Sequence, residues 1–185
     1  MKPRLEAAYA EPHRRYHTRA HIEACLKLLD EVQGLSADAR RLLTWAIWWH
    51  DAVYDPKASD NEARSAELAE ADLAAMDVSP ADRAEVARLI RLTAGHAVEP
   101  GDRLGAVLVS VDLAILGAPP ADYDAYARAV RQEYAHVPDA LWRSGRSRVL
   151  QRFLDAPVIF PDPGLGARFE VQARENLARE LATLA

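Results

Sequence analysis

The sequence predicts an all-α, single-domain helical bundle of about eight to nine helices. Alanine, leucine, arginine and glutamate, which are strong helix formers, dominate the chain. No stretch shows the alternation of apolar and polar residues that a half-buried strand requires. Proline, glycine and serine recur at intervals that divide the chain into segments of helical length. Because no internal repeat or long linker interrupts the 185 residues, we expect residues 1–185 to form one domain.

The first third of the chain is predicted to hold three helices. Residues 3–10 form the first of them. The second spans about residues 18–32, where apolar residues recur every three to four positions. Ser36 is a suitable N-cap for the third, which is expected to run to about residue 53.

The middle third is predicted to hold three more. A loop separates the third helix from a fourth at about residues 61–75. Ser79-Pro80 combines a capping hydroxyl with proline at the first helical position, so a fifth helix should start there and end near residues 93–95. The sixth is expected at about residues 101–116.

Two prolines mark the start of the first helix predicted in the last third of the chain. Pro119-Pro120 should start a seventh helix that ends near residue 136, and residues 139–154 should form the eighth. An irregular, proline-rich stretch follows. The final helix is expected at about residues 166–184.

Composition narrows the function classes. The net charge is −5, whereas a general nucleic-acid binder normally carries a basic face. No apolar stretch approaches the roughly 20 residues of a membrane span, and no signal-like hydrophobic core is present, so a cytoplasmic location is expected. The single cysteine, Cys25, excludes an intramolecular disulfide. It follows His21 at helical spacing and could supply a thiolate ligand, but the favoured interpretation is a small buried core residue. Apolar helix faces could also support a homo-oligomer.

The most informative feature is the pair His50-Asp51, which follows tryptophans in an apolar segment. Burying a carboxylate there is costly unless its charge is compensated. A divalent cation would compensate it, because neutral imidazole and carboxylate are both metal ligands. His21 upstream and Asp112, inside a second apolar run, are further candidate ligands. Each residue alone could be a surface histidine, a core histidine, a cap or an ion-pair partner, but one metal site explains all of them.

The order of these residues resembles the HD-domain superfamily of metal-dependent phosphohydrolases. The flanking sequence resembles one bacterial subgroup of predicted HD phosphohydrolases, and the resemblance covers nearly the whole chain. The segments that carry it are residues 11–17, 46–55, 61–66, 112–117 and 173–177.

The resemblance implies one divalent transition metal (Mn, Fe, Co, Ni or Zn) held by His21, His50, Asp51 and Asp112. It implies that metal-activated water hydrolyses a phosphate ester or anhydride on a small molecule, with a nucleotide as the expected example. Two alternatives stay open: a metal-containing binding or regulatory protein without turnover, and a di-iron oxygenase. The sequence holds no nucleophilic serine motif and no glycine-rich phosphate loop.

Two acidic residues near the His-Asp pair are candidates for supporting roles. Glu62 could act as the general acid or base, because it follows the loop that leaves the third helix. It could equally serve only to favour the start of the fourth helix. Asp55 could orient a ligand histidine, or it could be ordinary loop chemistry before Pro56.

Three basic residues are candidate substrate contacts. Arg14 could bind phosphate through its planar fork, although most arginines of helical proteins form surface pairs. His17 lies four residues before His21 and could face the substrate. His96 could contact a substrate phosphate, or it could be an exposed histidine at a helix end.

Overall fold

The computed structural model describes residues 2–184 of the chain. Within that range it contains nine α-helices, one short 3-10 helix and no strand, which confirms the predicted all-α fold. The helices are α1 (Lys2–Tyr9), α2 (Arg19–Glu31), α3 (Ala37–Trp49), α4 (Asn61–Ala74), α5 (Pro80–Leu92), α6 (Arg103–Asp112), the 3-10 helix (Leu113–Gly117), α7 (Pro120–Glu133), α8 (Asp139–Asp155) and α9 (Pro163–Leu184).

Capping residues explain where two of these helices begin. The hydroxyl groups of Ser36 and Ser79 each accept a hydrogen bond from the backbone N–H three residues later. Pro80 then occupies the first turn of α5, where its missing N–H removes no helical hydrogen bond. Both starts were predicted from the sequence.

Two helix ends differ from the expectation, and both lie at the candidate site. α3 ends at Trp49 instead of near residue 53, so His50 and Asp51 occupy the turn that follows it. The hydroxyl of Ser65, on α4, bonds both the N–H and the carbonyl of Val53 and so takes them out of the helical ladder. The predicted sixth helix is also divided, because α6 ends at Asp112 and the 3-10 helix continues from it.

The central element is α6, whose residues from Gly105 to Val111 are all buried. It packs against α2, α3, α5 and α9. On one side of the bundle α4 packs against α5 and α3, and on the other α9 packs against α8 and the 3-10 helix. One continuous apolar core runs through these layers, as expected of a single domain.

No single helix among residues 2–184 is both long and apolar enough to cross a membrane. Only the pair Arg103–Gly117 and Pro120–Glu133 passes that test jointly, and it is bent by 103°.

Candidate metal centre

The four predicted metal ligands come together where three helices end or begin. His21 lies in the first turn of α2, His50 and Asp51 follow α3, and Asp112 is the last residue of α6. Both histidines are buried, with 6% of His21 and 2% of His50 exposed. Residues separated by up to 91 positions therefore share one small polar cluster inside an apolar core.

The ligand atoms of the cluster lie close to one another. The Nε2 atom of His21 is 3.2 Å from Nε2 of His50 and 3.1 Å from Oδ1 of Asp112. His50 Nε2 is 3.1 Å from Oδ2 of Asp51 and 3.3 Å from Oδ1 of Asp112. Atoms bound about 2.1 Å from one ion lie about 3.0 Å apart in octahedral and about 3.4 Å apart in tetrahedral geometry. These four separations fall within that interval.

Hydrogen bonds to the far ring nitrogens orient both imidazoles. Nδ1 of His50 donates to the carbonyl oxygen of Ile47 over 2.9 Å. Nδ1 of His21 lies 3.0 Å from the hydroxyl of Tyr16. Because a carbonyl only accepts, the proton of neutral His50 is on Nδ1 and its Nε2 lone pair points into the cluster. A hydrogen bond on the far nitrogen is how proteins usually fix a metal-binding histidine.

Protons alone do not satisfy all contacts of the cluster. If both Nε2 atoms carried protons, two donors would face each other across 3.2 Å. If only one did, the lone pair of the other would face the carboxylate of Asp112. A cation between these atoms accepts every lone pair at once. The donor set therefore fits a divalent metal better than it fits a network of hydrogen bonds.

The charge balance of the cluster points the same way. Burial raises the pKa of Asp51 and Asp112, but the nearby imidazoles outweigh burial and hold both pKa values below the usual range. Burial lowers the pKa of His50, yet Asp51 and Asp112 raise it well above its ordinary value. The two half-buried carboxylates thus favour positive charge at this point.

Cys25 borders the cluster, and its sulfur forms with His21 and Asp112 a second group whose ligand atoms lie within 4.8 Å of one another. Its sulfur lies 3.8 Å from both ring nitrogens of His21 and donates to the carbonyl of Val111. Burial, followed by the charges of Asp112 and Asp51, raises the pKa of the thiol well above its ordinary value. A protonated, buried thiol fits the expected packing role.

Arg14 has a different place from the one expected. Its side chain is fully buried, and the guanidinium donates to the carboxylate of Glu11 and to the carbonyls of His17, Asp51 and Ala52. Four of its five N–H donors are used in this way. This corrects the expectation that Arg14 binds phosphate: it holds the turn that carries Asp51.

We therefore expect Arg14→Ala to lower the free energy of unfolding by about 2–4 kcal/mol, because it leaves buried carbonyls without donors. Urea unfolding of the full chain measures this change. Arg15→Ala, at the neighbouring exposed residue, is the matched control and should cost little. A raised KM with unchanged stability in Arg14→Ala would restore the phosphate role.

Asp55 also differs from its expected role. It is exposed, and its carboxylate accepts the N–H of Lys57 while its backbone pairs with the side chain of Asn61. These contacts correct the idea that Asp55 orients a ligand histidine and match the loop alternative. The orienting groups are the carbonyl of Ile47 and the hydroxyl of Tyr16.

Glu62 lies in the first turn of α4 and is half-buried. Among residues 2–184, no hydrogen bond or ion pair joins its side chain to the four candidate ligands. Its charge contributes to raising the pKa of Tyr134, after burial of that phenol and the charge of Glu133. Glu62 therefore lies near Tyr134, and its catalytic role stays a prediction.

His17 lies just before α2, within the segment that leads to His21, and its side chain is 22% exposed. Its Nδ1 bonds Oε2 of Glu133 over 2.7 Å, and its ring stacks on Tyr54. Burial lowers the pKa of His17, but Asp51 and Glu133 outweigh burial and raise it. The other ring nitrogen, Nε2, is left for the cavity that His17 lines.

Glu133 is the residue that the sequence reasoning missed. It is buried, with 4% exposed. Oε1 accepts the backbone N–H groups of residues 15–17, and Oε2 accepts from His17 and from the hydroxyl of Tyr54. Burial alone would raise its pKa, but these donors hold it at about 2. The burial of Glu133 could have been predicted, because it follows the core positions Tyr123 and Val130 at helical spacing.

His96 reaches the cluster from the turn after α5. Its Nε2 lies 3.4 Å from Oδ2 of Asp112, the oxygen that faces away from the other histidines. The backbone of His96 has a φ of 56°, a left-handed conformation that is uncommon for a non-glycine residue. Its Nδ1 is buried without a hydrogen-bond partner among residues 2–184. These observations favour a site residue over the exposed histidine of the alternative interpretation.

A cavity of about 520 Å³ opens beside the cluster. Asp112, His96 and His17 line one end of it, and the 3-10 helix, α7, α8 and α9 form the walls. Its volume is within the range of small-molecule sites. The candidate metal centre therefore adjoins a space in which a substrate can bind.

Comparisons with protein-family models, curated proteins and solved structures gave no match to this chain.

Proposed function

We propose that this chain is a metal-dependent phosphohydrolase of the HD-domain superfamily that acts on a small phosphorylated molecule. One observation carries the proposal: two oriented imidazoles and two half-buried carboxylates converge beside a cavity of about 520 Å³. His21, His50, Asp51 and Asp112 would hold one divalent transition metal. A bound ion of this kind supplies a water of lowered pKa and a charge that polarises the phosphoryl group.

The surrounding residues would bind phosphate and handle protons. With Nδ1 of His17 bonded to Glu133, a protonated His17 can donate from Nε2 to a phosphate oxygen or to the leaving oxygen. His96 can contribute a second such contact at the same end of the cavity. Glu62 is the proposed proton acceptor. Arg14 holds the turn that carries Asp51, and Glu133 holds the segment that carries His17.

Metal analysis combined with an activity screen tests the proposal. We expect about one transition-metal ion per chain in protein purified without added metal, and loss of that ion in the variant with His50→Ala and Asp51→Ala. The loaded wild type should then release phosphate from a panel of phosphate monoesters and anhydrides. No binding of Mn, Fe, Co, Ni or Zn on reconstitution would contradict the proposed site.

The same measurements separate the two alternatives. Stoichiometric metal without phosphate release from any substrate would support a metal-containing binding or regulatory protein. About two irons per chain, with oxygen consumption, would support an oxygenase.

A further inference from the structure

The walls of the cavity beside the candidate metal centre are apolar. Of its twenty lining residues, eleven are aliphatic, phenylalanine or tryptophan. They come mainly from the 3-10 helix, α7 and α8, and include Val130, Leu150 and Phe153. On α8, Leu141 is 66% and Val149 39% exposed although both line the cavity. An apolar surface therefore extends from the metal end to the outside.

The charged residues of the lining either lie at the metal end of the cavity or contact other side chains of the protein. His17, His96 and Asp112 belong to the metal end. Arg146 is buried and bonds both carboxylate oxygens of Glu180. The guanidinium of Arg152 lies over the ring of Phe153.

Two of the three hydroxyl groups of the lining are engaged as well. The hydroxyl of Tyr16 lies 3.0 Å from Nδ1 of His21, and that of Tyr126 accepts from Arg146 over 3.5 Å. The polar edge of a nucleobase would thus lose its hydrogen bonds to water and find few partners in the lining, which disfavours binding. A hydrocarbon or aryl group would not meet this cost.

Gly145 gives an independent indication that the space is kept open. It lies in the interior of α8, where glycine is less favourable than alanine. Its backbone has no positive φ, and a Cβ atom placed there would meet no atom within 4 Å. Gly145 lines the cavity, four residues from both Leu141 and Val149 on the same helix face. Any larger side chain would narrow the cavity.

We propose that the substrate is a phosphate monoester of an apolar alcohol, whose hydrocarbon body occupies this cavity while its phosphate lies at the metal end. This assignment rests on the proposed hydrolase function and replaces the nucleotide expected from the sequence. In the reaction, the bond between phosphorus and the alcohol oxygen breaks. The hydroxyl of water joins phosphorus, and the remaining proton of water ends on the alcohol oxygen, which gives alcohol and inorganic phosphate.

The first test compares n-alkyl phosphates from methyl to octyl on the metal-loaded full chain. We expect kcat/KM to rise about fourfold for each added methylene until the cavity is filled, which is the fold-change that burial of one methylene produces. Nucleoside monophosphates should be poorer substrates than octyl phosphate. Equal rates along the alkyl series, or preference for a nucleotide, would overturn the assignment.

The second test narrows the cavity. Gly145→Leu should remove most of the advantage of octyl over methyl phosphate, so that the ratio of their kcat/KM values falls towards one. Ser144→Leu is the matched control, because it adds the same side chain one residue away at an exposed position outside the lining. Gly145→Ala should give an intermediate effect. Thermal unfolding of each variant verifies that the fold is retained.

Calorimetric binding of octylphosphonate and methylphosphonate, which are not hydrolysed, separates the two proposals. Tighter binding of octylphosphonate, abolished by Gly145→Leu, supports the apolar site even if no ester is hydrolysed, in which case only the hydrolase function fails. Phosphate release from esters without any preference for octylphosphonate would instead leave the hydrolase function standing and overturn the cavity assignment.

Discussion

Asp112→Ala is expected to abolish both metal binding and phosphate release. Oδ1 of Asp112 contacts both imidazoles, and Oδ2 faces His96, so this one carboxylate joins the three histidines of the site. Loss of a hydrogen bond that only supports a ligand costs about 10–100-fold in metal affinity or activity. Asp112 is itself a candidate ligand and contacts three histidines, so its loss should cost more. We expect activity to fall at least about a hundredfold.

Elemental analysis and a phosphate-release assay on the same preparation measure both effects. Asp102→Ala is the matched control, because it makes the same substitution at the other end of α6. It removes an N-cap and the ion pair with Arg88 and should cost about 1–2 kcal/mol of stability, but it should retain the metal. Full metal content in Asp112→Ala would show that Asp112 is not a ligand.

A conservative variant distinguishes loss of the ligand from loss of the fold. Asp112→Asn keeps the size of the side chain and one oxygen, so the protein should remain folded and bind metal weakly. If Asp112→Asn retained both metal and activity, the charge of this carboxylate would be unnecessary and the proposed donor set would be wrong.

Much of the fold could be predicted because its signals are local. Ser36 and Ser79 cap their own helices, and proline starts α5 and α7. The end of α3 could not be predicted in this way, because the hydroxyl that captures Val53 belongs to Ser65, twelve residues later on another helix. Such a contact forms only once α3 and α4 pack together.

Three candidate ligands, His50, Asp51 and Asp112, could be predicted because each is a polar residue in an apolar segment. The choice of His21 came from the resemblance to HD-domain sequences. The convergence of these residues in the structure agrees with that interpretation. The roles of Arg14 and Glu133 could not be predicted from the sequence. A charged residue that bonds the protein's own backbone has the same sequence pattern as one that binds a ligand. The partners of Glu133 lie 79 to 118 residues away.

Glu133→Ala is expected to lower the free energy of unfolding by about 3–5 kcal/mol. The substitution leaves three backbone N–H groups, His17 and the hydroxyl of Tyr54 without their acceptor. Urea unfolding of metal-free protein measures the change. Glu67→Ala, at an exposed glutamate on α4, is the matched control and should be nearly neutral.

The stabilisation by the pair of Glu133 and His17 should depend on pH in a defined window. The native pKa of Glu133, about 2, is below its ordinary value of 4.5, so its contribution is complete above 4.5 and is lost as the pH falls towards 2. The native pKa of His17 is raised, so its contribution is complete below its ordinary value of 6.5 and is lost as the pH rises through the raised value. Their joint contribution is therefore greatest between about pH 4.5 and about pH 6.5.

Glu133→Gln isolates this charge-dependent part. Glutamine retains an oxygen for the three backbone N–H groups but carries no charge, so its loss should be smaller than that of alanine. The difference in stability between wild type and Glu133→Gln should peak near pH 5.5 and shrink towards about pH 3 and about pH 9. A difference that does not vary with pH would mean that Glu133 acts only as a neutral acceptor. The segment before α2 would then be held only by the hydrogen bonds that its backbone N–H groups donate to the side chain of residue 133. His17 would then not be held in the protonated form that could donate to a ligand in the cavity.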